Sequence, residues 1–221
     1  MFIRHDLLSW YQQDGFPALE LMDSYVSGVE EQAEQSSEKY VREKKVIGND
    51  DSLSCNTLYH GLDSESWDLE GIFSVYFPNL QRRSALLTLH SFFEFELNKL
   101  CRFSKCEKEF RLDVSDLKSD GIDRASLYLE KVAGIETHRS SKEWAAIKNI
   151  QGLRNKIVHH EGKLREDHDK ALIQFVDKHE YASRSDDGEV VLKRGFLALV
   201  VETYRNYFKL LDASIAAGLN P

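Results

Sequence analysis

The chain has 221 residues, of which 42% are hydrophobic and 30% charged, and this composition predicts a globular protein with an apolar core. Its 37 acidic side chains outnumber its 29 basic ones, so the net charge of −8 excludes a generally basic surface for nucleic acid. Three cysteines, no basic and apolar leader and no apolar run of about 18 residues indicate a reduced, cytoplasmic protein without a membrane span.

The first 66 residues predict a helix followed by an irregular segment. Apolar side chains recur at three- and four-residue spacing over residues 17–46, as on one face of a helix. Glycine, asparagine, aspartate and serine then interrupt the pattern, which predicts a loop over residues 48–66. We therefore expect residues 1–66 to pack on, or to extend, a core built by residues 67–221.

The remainder of the chain predicts a helical bundle. Residues 79–103 carry the strongest helical pattern, with an apolar face that repeats from Leu86 to Leu100. Further helices are predicted over residues 123–132, from Ser140 or Ser141 to about His159, over 167–179 and over 194–217. Asp187-Gly188 between two short apolar flanks predicts a β-hairpin before the last helix. The predicted fold class is all-α, with one small hairpin.

An unusual segment ends the predicted helix that begins at Ser140 or Ser141: residues 154–160 read Arg-Asn-Lys-Ile-Val-His-His. At about 100° per residue, Arg154 falls within the apolar arc of this helix. The arc consists of Ile147, Ile150, Leu153, Ile157 and Val158. An unpaired guanidinium there would cost several kcal/mol. Arg154 must therefore pair with an acid, line a polar cleft or face a partner subunit.

Asn155 and His159 are four residues apart, so their side chains share one stripe of the helix and can meet. Arginine carries a permanent positive charge, and histidine titrates near neutral pH. Together with Arg154, this stripe can hold a phosphodiester and move its protons. A purely structural role stays open, in which Arg154 bridges to a buried carboxylate and the two histidines favour the helix dipole.

The run Leu153-Arg154-Asn155-Lys156-Ile157-Val158-His159 resembles the R-x4–6-H signature of HEPN domains, in which Asn often follows the Arg. The resemblance implies a HEPN-like antiparallel helical bundle over roughly residues 67–217. It implies a metal-independent endoribonuclease of a bacterial toxin or phage-defence system, active as a homodimer with two motifs in one composite site. RNA is the expected substrate and an antitoxin or another defence protein a further partner, with no cofactor, membrane or DNA expected.

By position, the resemblance assigns Arg154 to the scissile phosphate and its developing charge. His159 would act as general acid or base on the ribose 2′-hydroxyl or the leaving 5′-oxygen. Asn155 would orient His159 or contact phosphate. His160 and Glu94 are supporting candidates, since Glu94 and His90 form a polar pair on the 79–103 helix that either reaches the motif or lies at the surface.

Other functions stay open. A HEPN-like bundle can serve as a non-catalytic module that binds RNA or protein, and the long N-terminal helix could instead dock into the groove of a partner. A metal site at His159, His160, Glu161 and His168 would match no common metal-ligand spacing. Small basic clusters such as Arg82-Arg83 are expected to be solvated charge.

Overall fold

A computed structural model describes residues 7–47 and 56–218 and shows a mostly helical chain. The helices of this part are α1 (Phe16–Glu43), α2 (Phe77–Lys108), α3 (Gly121–Lys131), α4 (Lys142–His160), α5 (Lys170–Lys178) and α6 (Phe196–Gly218). Strands β1 (Lys45–Ile47), β2 (Asn56–Tyr59) and β3 (Leu62–Asp63) form an antiparallel sheet, and β4 (Ala182–Arg184) and β5 (Val190–Leu192) form a hairpin. The predicted all-α class, with a hairpin before the last helix, is confirmed.

The prediction of an irregular segment over residues 48–66 was wrong for its second half. Residues 56–59 pair with β1, and residues 62–63 pair with residues 58–59 in turn. The first helix also ends at Glu43 rather than at residue 46, because Lys44 adopts an extended backbone and leads into β1. Strands of two to four residues show too few positions for an alternating pattern to be read. Residues 48–55 lie outside the described residues.

The core is built around α2 and α6. The ring of Phe93 stacks on that of Tyr204 with centroids 4.1 Å apart, and on that of Phe208 at 5.3 Å. All three rings are fully buried, and each such pair contributes roughly 0.5–1.5 kcal/mol beyond its buried area. The predicted apolar face of α2 from Leu86 to Leu100 is buried here as expected.

Helix α1 packs into the same core. Its Leu19, Met22 and Val26 are buried together with side chains of α2 and α6. An ion pair ties it to α2, in which Arg82 Nη2 lies 2.7 Å from Glu30 Oε2 and both side chains are largely buried. Most of the apolar face of α1 is therefore occupied within the chain, although Tyr25 is exposed, and loss of residues 1–46 would expose the core.

The hairpin is fastened to the start of α2 and to the segment that follows α4. Asn79 donates from Nδ2 to the carbonyl of Val190 at 3.3 Å and accepts the amide of Leu192 at 2.8 Å. The Val190 amide in turn donates to the carbonyl of Gly162 at 3.0 Å. Hydrogen bonds therefore join the segment that follows α4 to the hairpin, and join the hairpin to the start of α2.

Candidate functional site

The motif segment forms the last two turns of α4. The helix begins after Ser141, whose Oγ accepts the Trp144 amide at 3.1 Å and thereby caps it. The helix ends at His160 because Glu161 and Gly162 both adopt left-handed backbone, with φ of 54° and 78°. The amide of Gly162 donates to the carbonyl of Lys156 at 3.0 Å and closes the last turn. The sequence left Ser140 and Ser141 as alternatives, and Ser141 is the cap.

The apolar arc of α4 is buried only along its first part. Ile147, Ile150 and Leu153 are in the core. Ile157 is half-buried, and Val158 has 45% of its surface exposed. The apolar arc predicted from the sequence is therefore exposed at its end, at Val158.

The Arg154 pocket, as we name it, is a polar depression of about 570 Å³ between α2, the start of α3 and α4. It is lined by His90, Glu94, Ser119, Asp120, Gly121, Asp123, Gln151, Arg154 and Asn155. The sequence allowed Arg154 to pair with an acid, to line a polar cleft or to face a partner subunit. In this structure, Arg154 lines a polar cleft. The pocket also brings Glu94 and His90 of α2 together with the motif.

Arg154 is half-buried and bonds within its own helix. Its Nη1 donates to the side-chain oxygen of Asn155 at 2.9 Å. Its Nε is buried and has no hydrogen-bond partner, and no carboxylate of residues 7–47 or 56–218 forms an ion pair with it. Within this part of the chain, the guanidinium therefore forms no ion pair, although Glu94, Asp120 and Asp123 line the same pocket.

His90 lies at the buried side of the Arg154 pocket. Burial, together with the positive charges of Arg154 and Lys148, lowers the pKa of His90 from 6.5 to about 4. Its Nδ1 lies 3.3 Å from the hydroxyl of Tyr204. The imidazole is therefore neutral at neutral pH, and the adjacent guanidinium is one reason.

The His159 pocket is a second depression, of about 600 Å³, around the end of α4. It is lined by Lys156, His159, His160, Glu161, Lys163, Leu164, Arg165, His168 and Asp187. Three lysine or arginine and three histidine side chains lie there with two carboxylates. Two of the three lysine or arginine side chains are paired with further acids, Lys156 with Asp169 and Arg165 with Asp167, whereas Lys163 is exposed. Within the described ranges, no group of three or more His, Cys, Asp or Glu is arranged to hold a metal ion.

The structure separates the two principal site residues within one chain. Arg154 lines the first pocket, whereas His159 and His160 are exposed in the second. Asn155 lines the Arg154 pocket and accepts its hydrogen bond from Arg154. In this structure, Asn155 therefore supports the arginine. A site that uses both Arg154 and His159 on one phosphate needs groups from both pockets.

Two positions near the site were not expected from the sequence. Arg83 is buried rather than solvated: its Nη1 donates to the carbonyl of Glu161 at 3.2 Å and to Glu189 Oε1 at 2.6 Å. Lys156, inside the motif, forms an ion pair with the buried Asp169 at 2.8 Å. A signal for Arg83 was available, since it precedes Leu86 by three residues and so belongs to the buried face of α2.

Comparisons of the chain with protein-family models, with curated proteins and with solved structures give no match. None of the helices in residues 7–47 and 56–218 combines the length and the hydropathy that crossing a membrane requires.

Proposed function

We propose that this protein is a metal-independent endoribonuclease of the HEPN type, acting as a homodimer in a bacterial toxin or phage-defence system of the cytoplasm. The observation that supports the proposal best is the state of Arg154. Its guanidinium lines a polar pocket and has no acidic partner among the described residues. A guanidinium without an acidic partner is available to bind an external anion, and an RNA phosphate is such an anion.

In the proposed reaction, the ribose 2′-oxygen attacks the adjacent phosphorus and the bond to the leaving 5′-oxygen breaks. Arg154 stabilises the charge that develops on the phosphate oxygens. His159 takes the 2′-hydroxyl proton or gives a proton to the 5′-oxygen. The products carry a 2′,3′-cyclic phosphate and a 5′-hydroxyl. No metal ion is needed to balance these steps.

A dimer accounts for the separation of the two pockets. If a second copy sits against the end of α4, Arg154 of one chain and His159 of the other can act on one phosphate. The exposed Val158, between the two residues in sequence, provides an apolar contact for such a neighbour. Lys163, an exposed cation of the His159 pocket, then contacts an RNA phosphate that flanks the cleaved bond.

The test begins with purified protein and a labelled RNA of mixed sequence, with and without EDTA. Arg154→Ala and His159→Ala should each lower the cleavage rate by about 100-fold or more, because each removes one part of the transition-state stabilisation. Arg102→Ala and His60→Asn, which change exposed residues outside both pockets, should cleave as the wild type does. Cleavage that survives in both site variants, or that EDTA abolishes, contradicts the proposal.

A mixing experiment tests the composite site. Equal amounts of Arg154→Ala and His159→Ala protein, allowed to exchange subunits, should regain cleavage, because a mixed dimer contains one intact Arg154 and one intact His159. If both residues act within one chain, the mixture stays as inactive as its components.

The separation of Arg154 and His159 also favours a second candidate, a HEPN-like module that binds RNA or a partner protein without cutting. This candidate predicts that wild-type protein retains a labelled RNA in a filter-binding measurement and leaves it intact. Arg154→Ala should then weaken retention, and the cyclic phosphate product should not form.

A further inference from the structure

We propose that the Arg154 pocket is a guanine-recognition site. The Glu94 carboxylate accepts hydrogen bonds from the N1–H and N2–H groups of the base, and the phosphate of the same nucleotide lies at Arg154. This inference rests on the proposed ribonuclease function and names its base preference: the cleaved bond adjoins a guanine.

The first observation is that Glu94 has an unused carboxylate. Glu94 is half-buried on α2 and lines the pocket. Its backbone carbonyl accepts a hydrogen bond from Asn98, and no hydrogen bond or ion pair within the described residues involves its carboxylate. By contrast, Asp123 in the same pocket accepts from Lys148 at 2.5 Å. A carboxylate that no group of the described residues engages is free to accept hydrogen bonds from a ligand.

The second observation is the position of α3 relative to Glu94. Helix α3 begins at Gly121, and a Cβ added to this glycine would lie 3.4 Å from Glu94 Oε2. The carboxylate of Glu94 therefore lies against the start of α3. An ionised carboxylate accepts hydrogen bonds and donates none. The ligand edge that meets Glu94 must consequently present donors.

Guanine has the edge that this carboxylate requires. Its N1–H and N2–H donors are adjacent and can meet both carboxylate oxygens at once. Adenine and cytosine each present an amino group beside a ring-nitrogen acceptor, which repels the second oxygen, and uracil presents one N–H between two carbonyls. Recognition by a paired acceptor therefore separates guanine from the other three bases.

The size and charge of the pocket agree with a nucleotide. Its volume of about 570 Å³ lies within the range of roughly 300–1,000 Å³ that small-molecule sites occupy. The buried imidazole of His90 is neutral, and the charge of Asp123 is offset by Lys148 and Arg139. Asp120, directly before α3, is a further carboxylate of the lining. Arg154 and Glu94, which form no ion pair within the described residues, carry opposite charges that suit a phosphate and a donor edge respectively. Inorganic phosphate alone would be attracted by Arg154 and repelled by Glu94.

Binding of mononucleotides tests the site without requiring cleavage. Calorimetric titration of the full chain should give guanosine 3′-monophosphate an affinity about tenfold or more above that of the adenosine, cytidine and uridine 3′-monophosphates. Glu94→Gln should remove this preference. Glu109→Gln, which neutralises an exposed carboxylate at the end of the same helix, should retain it. Equal affinities for the four nucleotides, or no binding of any, overturn the guanine site.

Mapping of cleavage positions in an RNA of mixed sequence separates this inference from the function on which it rests. Cleavage confined to bonds beside guanine, and redistributed in Glu94→Gln, supports both. Cleavage spread over all four bases overturns the guanine site and leaves the ribonuclease. Guanosine-selective binding by a protein that cuts no RNA overturns the ribonuclease and leaves the guanine site.

Discussion

Arg83 of α2 donates a hydrogen bond from Nη1 to the backbone carbonyl of Glu161, at 3.2 Å, directly after the motif helix ends. The same guanidinium donates to the Val190 carbonyl of the hairpin and to the Glu189 carboxylate. One buried side chain from a distant part of the sequence therefore joins three segments. It holds the turn from which His159 and His160 are presented.

Arg83→Lys should disturb the end of α4 while retaining the positive charge. A lysine ammonium cannot reach the three acceptors in the planar arrangement of a guanidinium, so we expect about 2 kcal/mol of lost stability. The imidazole resonances of His159 and His160 should also shift. The control is Arg82→Lys, which alters the neighbouring pair with Glu30 and should leave those resonances in place. Identical histidine spectra in the two variants would show that Arg83 does not position this turn.

Gly162→Ala should destabilise the protein by more than Gly134→Ala. Both glycines have left-handed backbone, with φ of 78° and 70°, so each alanine carries a similar conformational cost of about 1 kcal/mol. At Gly162, the added Cβ would also lie 2.7 Å from Arg83 Nη2, which cannot move without losing its acceptors. Nothing lies within 4 Å of the Cβ position at Gly134. Urea unfolding should give a difference of roughly 1–2 kcal/mol between the variants. Equal losses of unfolding free energy in the two variants would mean that Arg83 moves aside at no cost.

His90 should make the protein less stable in mild acid. Its folded pKa of about 4 lies below the unfolded value of 6.5, so the unfolded chain binds the proton more readily. The contribution of His90 is therefore complete above pH 6.5, declines as the pH falls toward 4, and is constant below. A shift of this size corresponds to roughly 3 kcal/mol. Unfolding free energies of wild type and His90→Gln, measured from pH 7.5 to 4, should converge by about this amount. A constant difference between them contradicts the lowered pKa.

The ion pair of Glu30 with Arg82 should matter more than the exposed pair of Glu34 with Arg194. Glu30 and Arg82 are 13% and 12% exposed, so Glu30→Gln leaves a nearly buried guanidinium without its counter-charge. We expect a loss of about 2 kcal/mol. Glu34 and Arg194 are 49% and 69% exposed, and Glu34→Gln should cost about 0.5 kcal/mol or less. Chemical denaturation of both variants gives the comparison, and comparable losses would remove the assigned role of Arg82 in holding α1.

Much of the fold followed from local patterns in the chain. The apolar repeat of α2, the cap at Ser141 and the Asp187-Gly188 turn each depend on residues within a few positions of one another. The short strands over residues 56–63 were missed because strands of two to four residues are too brief to show an alternating pattern, although β2 and β3 pair across a two-residue turn. The exposure of Val158 could not be predicted either, because a helical wheel gives the direction of a side chain but not how far the covering helices extend.

By itself, the sequence determined the chemistry that α4 carries: an arginine in the apolar arc, an amide beside it and two histidines at the helix end. Tertiary packing decided how these groups are arranged. It placed Arg154 and His159 in different pockets, brought Glu94 and the neutral His90 to the arginine, and used Arg83 to hold the turn after the helix. The physical reason is the distance along the sequence over which each effect acts. Periodicity and capping act over three or four residues, whereas burial, pKa and long hydrogen bonds depend on which distant segments pack together.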